Sequence, residues 1–137
     1  MTLEPRLNVK SAADWAALIA AAGVAGMAVF QVHLAVGLPL GRAAFGGANP
    51  VLPAKLRAAS AMSALLFLTA FYAILARGGF ITTASESTPV RIGIWVFAAI
   101  FGFSTLVNAA SHSRWERLLM APIGFALTAC CVIVALA

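Results

Sequence analysis

Two histidines, a glutamine, an asparagine and a short row of hydroxyls are the chemically capable groups that this sequence places inside apolar surroundings. Gln31 and His33 stand in "FQVHLAVGLPLGR", and Ser104, Thr105, Asn108, Ser111 and His112 stand in "STLVNAASH". A histidine there can donate or accept hydrogen bonds to a ligand, carry a proton, or simply pack at a membrane interface. An amide without partners in lipid costs on the order of 2–7 kcal/mol, so Asn108 must be paired. His33 and His112 have no carboxylate beside them in the apolar segments, which is too few ligands for a metal. Bis-histidine haem ligation would need both at one depth on facing helices, and His112 belongs nearer a helix end than His33. The spacing therefore predicts neither metal nor cofactor. No Ser/His/Asp arrangement, phosphate loop or H-E-x-x-H motif occurs, so catalysis is the weakest reading. Glu116 is explained locally, as the acidic end of an S-x-x-E capping box.

The elements that hold these residues are membrane spans. The chain has 137 residues, of which 63% are hydrophobic and 9% charged, with a mean hydropathy of +1.00. A soluble domain carries far more charge, whereas apolar runs of about 20 residues cross a bilayer. Four such runs predict an all-α, four-transmembrane-helix antiparallel bundle over about 12–38, 53–77, 89–112 and 114–137. The whole chain, 1–137, forms one domain, with 1–11 as a polar N-terminal segment lacking the features of a cleavable signal. Ser11 and Asp14 fit a capping box before the first helix, and Trp15 is an interfacial anchor. Gly37, Pro39 and Gly41 end that helix; Pro53 suits the start of the second and Gly78-Gly79 its end. Thr88-Pro89 opens the third, and Ser113 to Glu116 the fourth. Cys130 and Cys131 are neighbours on one helix and behave as small hydrophobes without a disulfide.

The net charge of +5 is scattered at the ends of the apolar runs. It marks topology and lipid headgroups, with no nucleic acid as partner. Arginines and lysines are nearly balanced between the two ends. A small excess favours loops 1–2 and 3–4 on the cytoplasmic side of a bacterial inner membrane. Gly23 and Gly26 on helix 1 let helices approach closely, within one chain or between subunits of a homo-oligomer or larger complex. Gln31 and His33 lie about 200° apart on a helix. His33 is therefore assigned to the pocket and Gln31, with the two glycines, to a helix–helix or subunit interface.

Sorted by depth, the polar residues gather in one half of the bundle, near loops 1–2 and 3–4. Ser104, Thr105, Asn108, Ser111 and His112 fall within roughly a 120° arc, a stripe that must face partner helices or a cavity. His33, Ser60 and Arg42 complete the candidate ligand-binding set, with Ser63 close by. Arg42, Arg57, Arg114 and Arg117 ring the same end, as headgroup anchors or as a rim for an anionic ligand.

The segments "GLPLGRAAFGG", "LPAKLRAAS" and "NAASHSRWER" resemble those of a group of small, uncharacterised bacterial four-helix integral membrane proteins. The residues carrying the resemblance include Gly37, Pro39, Gly41, Arg42, Pro53, Arg57, Ser60, Asn108, Ser113, Glu116 and Arg117. The resemblance implies the fold and no activity. Three functions follow from the polar half-bundle. The first is non-catalytic binding of a lipid headgroup, a small amphipathic ligand or a partner subunit, with membrane lipids as the surroundings. The second is a small-solute transporter or channel built as a homo-oligomer, opposed by the absence of an intramembrane carboxylate. The third is an enzyme acting at headgroup level.

Overall fold

A computed structural model of the protein describes residues 9, 11–81 and 84–137; nearly all of the polar segment 1–11 lies outside them. Four helices run in alternating directions: α1 (Ala12–Ala35), α2 (Ala54–Arg77), α3 (Thr88–Ala109) and α4 (Glu116–Leu136). They hold 24, 24, 22 and 21 residues, or about 32–36 Å at 1.5 Å per residue. That spans a hydrocarbon core of about 30 Å. Ile19, Leu65, Phe103, Leu106 and Phe125 point outward and are exposed, a surface suited to lipid. The protein is an integral membrane protein with an all-α four-helix fold.

The helix ends follow local chemistry. Ser11 Oγ accepts the Asp14 N–H and the Asp14 carboxylate accepts the Ser11 N–H, at 3.1 and 3.0 Å, so the first capping box is complete. α1 stops at Ala35, three residues before the expected end. The Gly37 N–H reaches the Leu34 carbonyl and the Leu38 N–H that of His33. This Schellman closure needs a left-handed residue, and Gly37 supplies it at φ +92°. Gly78-Gly79 closes α2 the same way, with the Phe80 N–H on the Leu75 carbonyl. α3 ends at Ala109 instead of continuing to His112. The Ala110 and Ser111 N–H groups still reach the Leu106 and Asn108 carbonyls, and beyond them the Ser111 hydroxyl holds the 3–4 turn, as serines readily do.

The fourth helix departs most from expectation. Glu116–Met120 is a π-turn, with the Ala121 N–H bonding the Glu116 carbonyl. The wide turn sits directly before Pro122, which has no N–H for the Leu118 carbonyl and would crowd it in a regular helix. The second capping box is only half made. The Glu116 N–H reaches Ser113 Oγ at 3.4 Å, but the Glu116 side chain leaves its own helix end.

Packing is uneven along the bundle. α1 packs tightly on α2 and α4, and α4 on α3, whereas α2 and α3 meet loosely. In the half nearer the chain termini, buried Ala17, Ala20, Val24, Ala70, Ile74 and Cys131 bring the helices close. Gly23 lies under Leu127 of α4. Gly124 and Gly102 on the α3–α4 seam admit Thr105 and Thr128. Phe67 of α2 stacks on Phe101 of α3 at 5.8 Å between centroids, and beyond this bridge the two helices part. Cys130 and Cys131 are free thiols.

Candidate functional site

The parting of α2 and α3 leaves a cavity of about 740 Å³ in the half-bundle near loops 1–2 and 3–4. Its floor is the Phe67–Phe101 stack, and Met27, Phe30, Leu66, Ile100 and Met120 line much of the rest. Its mouth lies between α2 and α3, where Leu66, Ser104 and Val107 remain exposed. The polar wall comes from Gln31, Ser63, Ser104, Asn108, Ser111, His112 and Glu116. Such a volume and an apolar lining with a few convergent polar groups are typical of small-molecule sites.

Loop 1–2 roofs the cavity through Ala43, Ala44, Phe45 and Gly46. This roof is fastened to the 3–4 turn by side chains distant in sequence. Glu116 Oε1 accepts the Gly46 N–H at 3.1 Å, and Glu116 Oε2 accepts the Ser111 hydroxyl proton. Ser113 Oγ donates to the Arg42 carbonyl, and Ser111 Oγ accepts the Ser113 N–H at 3.0 Å. Gly46 and Gly47 both sit at positive φ, and a methyl on Gly47 would collide with Ser113. The positive φ favours glycine at Gly46, whose N–H meets Glu116, and the close approach favours it at Gly47. Phe45, at φ +49°, is the non-glycine residue with positive φ among the described residues.

Glu116 is 6% exposed. Its two oxygens receive one donor each, and among the described residues it forms no ion pair. The arginines that ring this end are engaged elsewhere. Arg57 Nε caps the Ala35 carbonyl at 2.8 Å, and Arg117 Nη1 reaches the Ser111 and His112 carbonyls at 2.8 and 3.1 Å. Arg42 donates to the Gly47 carbonyl, and Arg114 lies over the Trp115 ring at 5.1 Å. The contacts of Arg57, Arg117 and Arg42 are helix and loop caps, which satisfy carbonyls that would otherwise lack donors.

Of the candidate residues, Ser104, Asn108, Ser111 and His112 come together on the cavity wall. Four others do not. His33 turns back on its own helix, its Nδ1 2.6 Å from the Val29 carbonyl. Ser60 is fully buried with its hydroxyl unpartnered, away from the cavity. Thr105 bonds the Phe101 carbonyl at 2.8 Å and wedges against Gly124 in the α3–α4 seam. Arg42 serves the loop. The places foreseen for Gln31 and His33 are thus exchanged: Gln31 lines the cavity and His33 does not. Their 200° separation holds, but which of the two faces inward depends on how α1 is rotated against α2 and α4. Gly23 packs inside the chain, while Gly26 has open space around it.

Asn108 is weakly satisfied, its Nδ2 lying 3.5 Å from Ser104 Oγ. Gln31 Oε1 is buried without a donor, and a half-turn of the amide exchanges it with the more open nitrogen. The cavity wall thus carries hydrogen-bonding capacity that the protein itself leaves partly unused. No family model, curated protein or solved structure matches the chain. Glu116 is the member of this wall that sequence spacing concealed. Its capping box accounted for it locally, and its tertiary partner is a glycine N–H 70 residues away.

Proposed function

We propose that this membrane protein is a non-catalytic binding protein whose open half-bundle holds the polar end of a small amphipathic molecule. The observation that carries the reading is the under-satisfied wall of Gln31 and Asn108 inside a cavity of about 740 Å³. Polar groups buried without full partners are costly in lipid, and a ligand that bonds them recovers that cost. The mouth between α2 and α3 suits a molecule that arrives from the bilayer with an apolar tail. A through-path for solute is not favoured, because the Phe67–Phe101 stack and the alanine-rich core close the other half. Ser111 is not read as a nucleophile, since its hydroxyl proton and a lone pair both hold the 3–4 turn.

The test is native mass spectrometry of the protein released from nanodiscs made with a bacterial polar lipid extract. Retained adducts should be lost in Asn108→Leu and in Gln31→Leu, and kept in Ser60→Ala. Adducts retained equally by all three variants would remove the cavity as the binding site.

A further inference from the structure

The cavity has a sign. Glu116 is the carboxylate on its wall, 6% exposed, and among the described residues no cation forms an ion pair with it. A carboxylate offers about four lone-pair directions, and the Gly46 N–H and the Ser111 hydroxyl occupy one on each oxygen. Charges buried in proteins are ordinarily paired as well as hydrogen-bonded. Of the cations at the same end of the bundle, the four arginines are committed to backbone carbonyls or to the Trp115 ring, and neither they nor Lys55 line the cavity. The cationic rim that the sequence offered to an anionic ligand is therefore turned away from the site. What faces a ligand is one carboxylate, together with the side chains of Gln31, Asn108 and His112.

We infer that the occupant is a single-chain amphiphile with a primary ammonium head, its nitrogen paired with Glu116 and its chain leaving between α2 and α3. The ammonium supplies the missing counter-charge and three donors for a wall rich in acceptors. The exposed apolar mouth at Leu66 and Val107 accommodates the chain, and loop 1–2 at Ala43–Gly46 covers the pair from one end. A phosphate or sulfate head would instead meet Glu116 with like charge and no free arginine.

This inference rests on the binding function proposed above, and the experiment separates the two. Octylammonium, octanol and octyl phosphate are titrated onto the protein in phosphatidylcholine nanodiscs, and bound adducts are counted by native mass spectrometry. Octylammonium should bind at least about tenfold more tightly than octanol, a factor worth about 1.4 kcal/mol, and octyl phosphate more weakly than either. Glu116→Gln should bring the ratio of octylammonium to octanol affinity down to about one, a ratio that any change in the roof leaves readable because both chains use the same pocket. An octylammonium preference that survives Glu116→Gln overturns the inference. So does octanol or octyl phosphate binding as tightly as the amine and being lost in Asn108→Leu, although the pocket itself would then stand. Failure of all three probes to bind removes both the ligand class and the pocket. Asn108→Asp keeps the test decisive if Glu116→Gln does not fold. A second carboxylate on the same wall should tighten octylammonium and weaken octyl phosphate, and the reverse order overturns the assignment.

Discussion

Removing the Glu116 carboxylate should release the roof of the cavity without melting the bundle. In Glu116→Ala the Gly46 N–H loses its acceptor at 3.1 Å and the Ser111 hydroxyl loses its own. One contact between the loop and the turn survives, Ser113 Oγ to the Arg42 carbonyl. A hydrogen bond to a charged group contributes about 1.5–3 kcal/mol, and a donor orphaned in a part-buried place costs about 1–3 kcal/mol. Because the opened loop regains water, about 1–3 kcal/mol is expected for local opening. That corresponds to amide exchange roughly 5- to 150-fold faster at Gly46. Hydrogen–deuterium exchange on the protein in detergent reads this directly. Peptides covering Ala43–Gly47 should lose protection, while those covering Ala70–Ala76, in the tight half, should keep theirs. Unchanged exchange at Gly46, within twofold, would refute the latch. Equal loss of protection in both regions would show that Glu116 supports the fold as a whole instead of the roof.

Two further expectations concern the packing that shapes the site. Ser60→Ala should leave the melting temperature in detergent unchanged or raise it, because the buried hydroxyl has no partner to lose; a loss above about 1 kcal/mol would mean that the hydroxyl is bonded after all. Gly124→Ala should destabilise by about 1–3 kcal/mol through overpacking, since the added methyl would lie 2.5 Å from Thr105 Oγ1. Adding Thr105→Ala should recover much of that loss, and additive melting-temperature changes in the double variant would refute the steric account.

Much of the fold was readable one helix at a time. Four runs of about 20 apolar residues specify spans because lipid leaves the backbone no other way to satisfy its polar groups. Their ends were legible at Ser11 with Asp14, at Gly78-Gly79 and at Pro89, which act within one helical turn, whereas α1 closes through Gly37 three residues short of the expected end. The ends drifted where distant groups compete, at Ser111 and at Glu116. Depth along a span follows from residue number, and of the five residues in the helix 3 stripe Ser104, Asn108, Ser111 and His112 reach one wall while Thr105 turns into the α3–α4 seam.

Rotation and counter-charge were decided only in three dimensions. Periodicity says that Gln31 and His33 oppose each other on α1; it is silent on which of them faces the gap between α2 and α3. Here an alanine surface and a close approach at Gly23–Leu127 set the answer. Small side chains leave almost no amphipathic signal in a helix surrounded by lipid, since its buried and outer faces are both apolar. Nor does sequence say which carbonyl an arginine will cap. Long side chains at one end of a bundle choose among acceptors that lie close only after packing. In this fold Arg57, Arg42 and Arg117 take the carbonyls of α1, of loop 1–2 and of the 3–4 turn, and among the described residues none forms an ion pair with Glu116 on the cavity wall.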